Sequence, residues 1–78
     1  PSTPRSVAHR LSDCGEVVYV LWVSGRYDLL IEVVCETRSA FQSFLEQHCF
    51  GHDDIDQIEV MSGIEMFKNQ FLLKRQAQ

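Results

Sequence analysis

The sequence predicts an α+β domain of the ferredoxin-like βαββαβ kind, closed into a dimeric α/β-barrel, with its first strand missing from the chain. Three observations predict it. Two runs rich in β-branched and aromatic residues flank the short segment Ser24-Gly25-Arg26, which reads as an antiparallel hairpin. One segment before the hairpin and one after it repeat apolar residues at helical spacing. A third strand-like segment then alternates Ile58, Val60, Ser62, Ile64 and Met66. The resulting order is helix, strand, strand, helix, strand.

Each element follows from local chemistry. Thr3-Pro4 pairs a helix cap with proline at the first helical position, and Val7, Ala8 and Leu11 fall on one face, so a helix is expected over residues 4–13, stopped by Gly15. Residues 16–23, EVVYVLWV, read as a strand buried on both faces, or on one face and under a partner. Gly25 supplies the positive φ that the turn needs. In the strand over residues 27–35, Tyr27, Leu29, Ile31, Val33 and Cys35 share one face, and Asp28, Leu30, Glu32 and Val34 share the other. Thr37 caps a helix over residues 38–49 whose buried stripe is Phe41, Phe44, Leu45 and His48. After the polar loop Gly51-His52-Asp53-Asp54, a long strand runs over residues 55–66, with Gly63 marking a bend. The tail carries the apolar cluster Phe71-Leu72-Leu73. In βαββαβ topology the first strand lies mid-sheet, and its neighbours cannot leave buried backbone groups unpaired. Either the sequence begins after that strand, or another segment fills the slot, for which the tail, a short extra strand or a partner contact, is the candidate.

Composition narrows the class. A chain of 78 residues is one domain at most, and so small a core favours self-association. The net charge of −4 argues against this segment being a nucleic-acid surface. No apolar run approaches membrane-span length, and the first residues carry no signal-peptide pattern. Three cysteines, Cys14, Cys35 and Cys49, with no CxxC, read as reduced thiols of a cytoplasmic protein. Apolar residues on both faces of residues 16–23 imply a dimer: the helices cover one face, and a second chain covers the other. Tyr19 and Trp22, on opposite faces, are assigned to core and dimer interface.

The hairpin also resembles a known family. Glu16-Val17-Val18, then Val23-Ser24-Gly25-Arg26-Tyr27-Asp28-Leu29-Leu30-Ile31-Glu32-Val33, is similar to the second and third strands of the ligand-binding domain of Lrp/AsnC transcription regulators. The helix with Thr37, Phe41, Phe44 and Leu45 matches the family's next helix. Asp54-Ile55, Ile58-Glu59-Val60, Ile64 and Lys68 fit its last strand. The similarity spans roughly residues 4 to 68. Ile58 and Val60 replace the family's usual threonines, and the loop before that strand lacks the usual Pro-Gly. The family's helix-turn-helix domain is not in these residues, so DNA binding is expected only through such a separate domain of a longer parent.

The resemblance implies sheet-to-sheet dimers, further assembly often to octamers, and small effectors, typically amino acids, in clefts between dimers near the hairpin turn. An effector shifts assembly only if it prefers one assembly over another. The chemistry of the turn fits such a ligand. Ser24, Gly25 and Arg26 offer backbone N–H groups and a guanidinium to an α-carboxylate. Asp28 offers a carboxylate to an α-ammonium group, Tyr27 an apolar wall with a polar tip, and Ser62 a further contact. The bland alternative is that Gly25 only makes the turn, and that Asp28 caps it or pairs with Arg26. A ligand-free interaction module and a small dimeric α+β-barrel enzyme are the other readings of the same fold.

No cofactor or metal is expected. His48-Cys49, His52, Asp53 and Asp54 match no standard zinc spacing, and a helix end with a solvated loop explains them, His48 meeting the helix dipole. No nucleophile with a neighbouring base, P-loop, GxSxG or HExxH occurs, so the chain is not expected to be an enzyme.

Overall fold

The computed structural model describes residues 3–61 and 68–76. The element order is α1 (Pro4–Ser12), β1 (Val17–Trp22), β2 (Leu29–Val34), α2 (Arg38–His48), β3 (Ile55–Met61) and β4 (Lys68–Arg75). The fold is α+β and ferredoxin-like without the first strand: one antiparallel four-stranded sheet with two helices.

The strand order is β1-β2-β4-β3, so the tail strand β4 occupies the central slot. It pairs with β2 from Leu29↔Leu73 to Val34↔Lys68, and with β3 from Ile55↔Arg75 to Met61↔Gln70. Residues 68–75 alternate Phe71 and Leu73 inward with Gln70 and Leu72 outward, so the pattern of a central strand was present in the tail. Both backbone edges of β2 are thereby satisfied.

Both helices lie on one face of the sheet. Val7 and Leu11 of α1, and Phe41, Phe44 and Leu45 of α2, share a single core with Leu29, Ile31 and Val33 of β2 and Phe71 and Leu73 of β4. Phe71 is its hub: its ring centroid lies 6.3 Å from that of Phe41 and 6.3 Å from that of Phe44. The cap of α1 is a reciprocal box, with Thr3 Oγ1 accepting from Ser6 N–H and Ser6 Oγ accepting from Thr3 N–H. Thr37 Oγ1 accepts from Ala40 N–H at α2.

Several boundaries and placements differ from the sequence reading. α1 ends at Ser12 with Asp13 as its right-handed cap, so Gly15 does not terminate it through a left-handed turn; only Gly25 and Gly51 have positive φ among the described residues. Tyr27 leaves the core row, because β2 begins at Leu29. Its hydroxyl donates to Glu59 Oε1 at 3.1 Å. Ser62, Gly63, Ile64 and Met66 lie outside the described residues, and β3 is followed only to Met61. The register of β1 shifts between Val17 and Tyr19, an irregularity no residue pattern announced. Tyr19 and Trp22 both stay about half exposed, at 49% and 54%, and neither joins the core of this chain.

An ion pair ties α1 to the loop before β3. The Arg10 guanidinium donates through Nε and Nη2 to the two Asp54 carboxylate oxygens at 3.1 and 2.8 Å, and through Nη1 to the His48 carbonyl at 2.7 Å. That carbonyl belongs to the end of α2, where a cation is favoured. Sequence separations of 44 and 38 hid these contacts from any local reading.

The three cysteines are free thiols. Burial, opposed by Arg10, pushes the Cys49 thiol from 9.0 up to about 12. Burial and Glu16 push Cys14 and Cys35 up as well. A thiol with a raised pKa holds its proton more firmly when folded. Its contribution is complete below about pH 9 and is lost as pH rises towards 12. Folding stability should therefore fall by up to about 1.4 kcal/mol per pH unit above that point through Cys49. Urea unfolding of the natural chain and of Cys49→Ala, followed from about pH 8 to about pH 11, checks this. The stability gap between the two is expected to shrink as pH rises.

Candidate functional site

The sheet has one covered face and one open face. Leu29, Ile31, Val33, Phe71 and Leu73 point to the helices, so the alternate residues point away from them. Pairing places Leu21, Leu30, Leu72 and Glu59 in one row across the open face, and Tyr19, Glu32, Gln70 and Met61 in the next. Leu21 is 44% exposed. The face has a polar centre: Glu32 Oε1 accepts from Gln70 Nε2 at 3.2 Å, and Glu32 Oε2 lies 3.6 Å from Lys68 Nζ. The face thus sets an apolar row, Leu21-Leu30-Leu72, beside a paired polar centre, a mixture that interfaces between chains use.

The hairpin between β1 and β2 stands at one end of this face. Ser24, Gly25 and Arg26 are exposed, and Gly25 takes φ 105°, a value that favours glycine. Val23 N–H donates to the Asp28 carbonyl at 2.9 Å and closes the turn. Tyr27 and Asp28 are half-buried. The hydrogen bond to the Glu59 carboxylate pushes the Tyr27 phenol above its ordinary value.

Asp28 has a role the sequence did not disclose. Its Oδ2 accepts from Arg75 N–H at 2.9 Å, and its own N–H donates to the Leu73 carbonyl at 2.9 Å. It therefore fastens the end of β4 to the hairpin. Asp28→Ala should destabilise the fold by about 1.5–3 kcal/mol, the range for a hydrogen bond to a charged group. Asp28→Asn keeps an oxygen acceptor and should cost less than about 1 kcal/mol. Urea midpoints of the two variants test this.

Of the residues proposed from sequence, Ser24 to Asp28 are contiguous on the hairpin, while Ser62 lies outside the described residues. Glu59 and Arg75 join them through Tyr27 and Asp28, and neither carried a signal in the sequence.

The His48–Asp54 region is occupied by internal contacts. The His48 ring packs tilted against Phe44, with centroids 4.9 Å apart, and its Nδ1 lies 3.5 Å from Cys14 Sγ. Asp54 holds Arg10, and a His52 ring nitrogen lies 3.0 Å from the Gln47 carbonyl. Among the described residues no group of three potential ligands is placed to hold a metal ion.

A family model described as the Lrp/AsnC ligand binding domain matches residues 1–73. The chain belongs to the Lrp/AsnC ligand-binding domain family. The match corresponds to the C-terminal effector-binding domain of Lrp/AsnC regulators, and it takes in most of β4. No curated protein and no solved structure matches the chain. As an Lrp/AsnC ligand-binding domain the chain is of a regulatory rather than a catalytic kind. Among its described residues no helix is long and apolar enough to cross a membrane.

Proposed function

We propose that this domain binds a small-molecule effector, most simply an amino acid, and drives the self-assembly of a cytoplasmic transcription regulator without catalysing a reaction. The open apolar face carries the reading. Rows such as Leu21-Leu30-Leu72 need a cover, and a second copy of the same face supplies one of matching chemistry. Dimers then assemble further, to an octamer, with effectors in the clefts between dimers at the hairpin turns. There Ser24, Gly25 and Arg26 offer donors to a carboxylate, with Tyr27, Asp28 and Ser62 completing the site. DNA contact falls to a helix-turn-helix domain outside these residues, and effector occupancy tunes it by favouring one assembly.

The engagement of Asp28 with Arg75 N–H favours a second reading, an interaction module of the same fold without ligand. Light scattering coupled to size exclusion separates the two. The first reading expects a dimer whose mass shifts towards an octamer, or back, with one member of a panel of amino acids. A stable oligomer indifferent to all of them supports the second. A strict monomer at every concentration overturns both.

A further inference from the structure

The open face carries two carboxylates, and they are served differently. Glu32 is answered from within the sheet: Gln70 Nε2 donates to its Oε1 at 3.2 Å, and Lys68 Nζ lies 3.6 Å from its Oε2. Both of those partners stand on β4, the strand beside it. Glu59 is answered from outside the sheet. Among the described residues its carboxylate has one hydrogen-bond partner, the Tyr27 hydroxyl, which donates to Oε1 at 3.1 Å. Tyr27 precedes β2 and Glu59 belongs to β3, so with the strand order β1-β2-β4-β3 this bond spans the width of β4.

The place of Glu59 gives that bond a consequence. Glu59 pairs with Leu72, and Leu72 pairs with Leu30. A cover seated on the row Leu21-Leu30-Leu72 therefore comes against Glu59 as well. In the single chain Glu59 is exposed, and water serves its carboxylate. Closing the face withdraws that water, and a carboxylate covered without a replacement donor opposes the closure. The Tyr27 hydroxyl is the replacement on hand, carried on a half-buried ring. The bond pushes the Tyr27 phenol above its ordinary value, as expected where the neutral hydroxyl is the donor. Such a bond contributes little while both groups face water, and more once water is excluded. It therefore favours the covered state over the open one.

We propose that the Tyr27–Glu59 hydrogen bond is the device through which the hairpin controls closure of the open face. With the hydroxyl in place, Glu59 enters the interface with its charge answered. With the hydroxyl withdrawn, the bare carboxylate resists the cover. This rests on the reading that a second copy covers the open face, and it adds the pair that sets how tightly. Tyr27 is then a positioning residue shared by the hairpin and the face. Whatever turns its side chain away from Glu59 acts on assembly without touching the apolar row.

A double-mutant cycle on the whole chain tests this, read as the dimer dissociation constant by sedimentation across a concentration series. Tyr27→Phe keeps the ring and removes only the donor. Its dissociation constant is expected to rise about tenfold, with an unchanged urea midpoint for the monomer. Glu59→Met removes the charge and should associate at least as tightly as the natural chain. Added to Glu59→Met, Tyr27→Phe should change the dissociation constant by less than about twofold. An equal rise in both backgrounds overturns the proposal, because the hydroxyl then acts on something other than Glu59. So does a Tyr27→Phe chain that associates like the natural one. Both of those outcomes leave the second copy on the open face standing. A natural chain that stays monomeric at every concentration overturns the cover itself, and the proposal with it.

Discussion

Replacing Phe71 with alanine should cost about 3–5 kcal/mol, most of the stability a domain of this size possesses. Phe71 is fully buried in the central strand, between β2 and β3 and against the rings of Phe41 and Phe44. Its loss opens a cavity bounded by a sheet and a helix, and such a site collapses poorly. Leu72→Ala, one residue away on the open face, should cost about 1 kcal/mol or less in the monomer. Urea denaturation at low protein concentration compares them. A Phe71→Ala cost below about 1 kcal/mol would remove β4 from the centre of the sheet and overturn the topology.

That centre was partly legible in the sequence. The alternation of β2, the stripe Phe41-Phe44-Leu45 and the caps Thr3 and Thr37 are local patterns, and local patterns survive folding. The missing first strand was legible as a vacancy, because backbone pairing is obligatory. Phe71-Leu72-Leu73, the one unassigned apolar cluster, was a candidate to fill it, and the pattern alone did not decide between a strand of this sheet and a partner contact. What could not be read is what depends on distance. Arg10 meets Asp54 across 44 positions, and Asp28 meets the Arg75 backbone across 47. A guanidinium or a carboxylate on a surface pattern gives no hint of which remote group it will face. The hairpin residues were picked out by turn chemistry. Nothing in that chemistry separates a carboxylate awaiting a ligand from one that fastens a strand.

Leu21→Lys should raise the dissociation constant of the proposed dimer by at least about 100-fold. Leu21 stands on the open face in the row with Leu30 and Leu72, and two-fold symmetry brings the substitution in twice. Each copy loses about 2 kcal/mol or more if it sits at the interface centre, and the buried ammonium groups add desolvation. Leu21 is 44% exposed in the single chain, so the fold should persist, with an unchanged circular dichroism spectrum and urea midpoint for the monomer. Gln42→Lys, on the exposed side of α2, should leave the mass unchanged. Sedimentation across a concentration series reads both. If Leu21→Lys associates like the natural chain, the copies meet through another surface, and the open face loses its assigned cover.

The late position of the central strand bears on how the protein is made. Translation delivers α1, the hairpin and α2 first, and β2 then waits for a neighbour encoded after everything else in the sheet. Until β4 emerges, none of the described strands lies beside Ile31 and Val33 on that side, and the nascent chain holds an open apolar edge. Pairings this remote in sequence also make closure slow. A premature stop codon before Lys68, which removes β4 altogether, should therefore yield an unfolded polypeptide for proteolysis rather than a shortened domain with partial function.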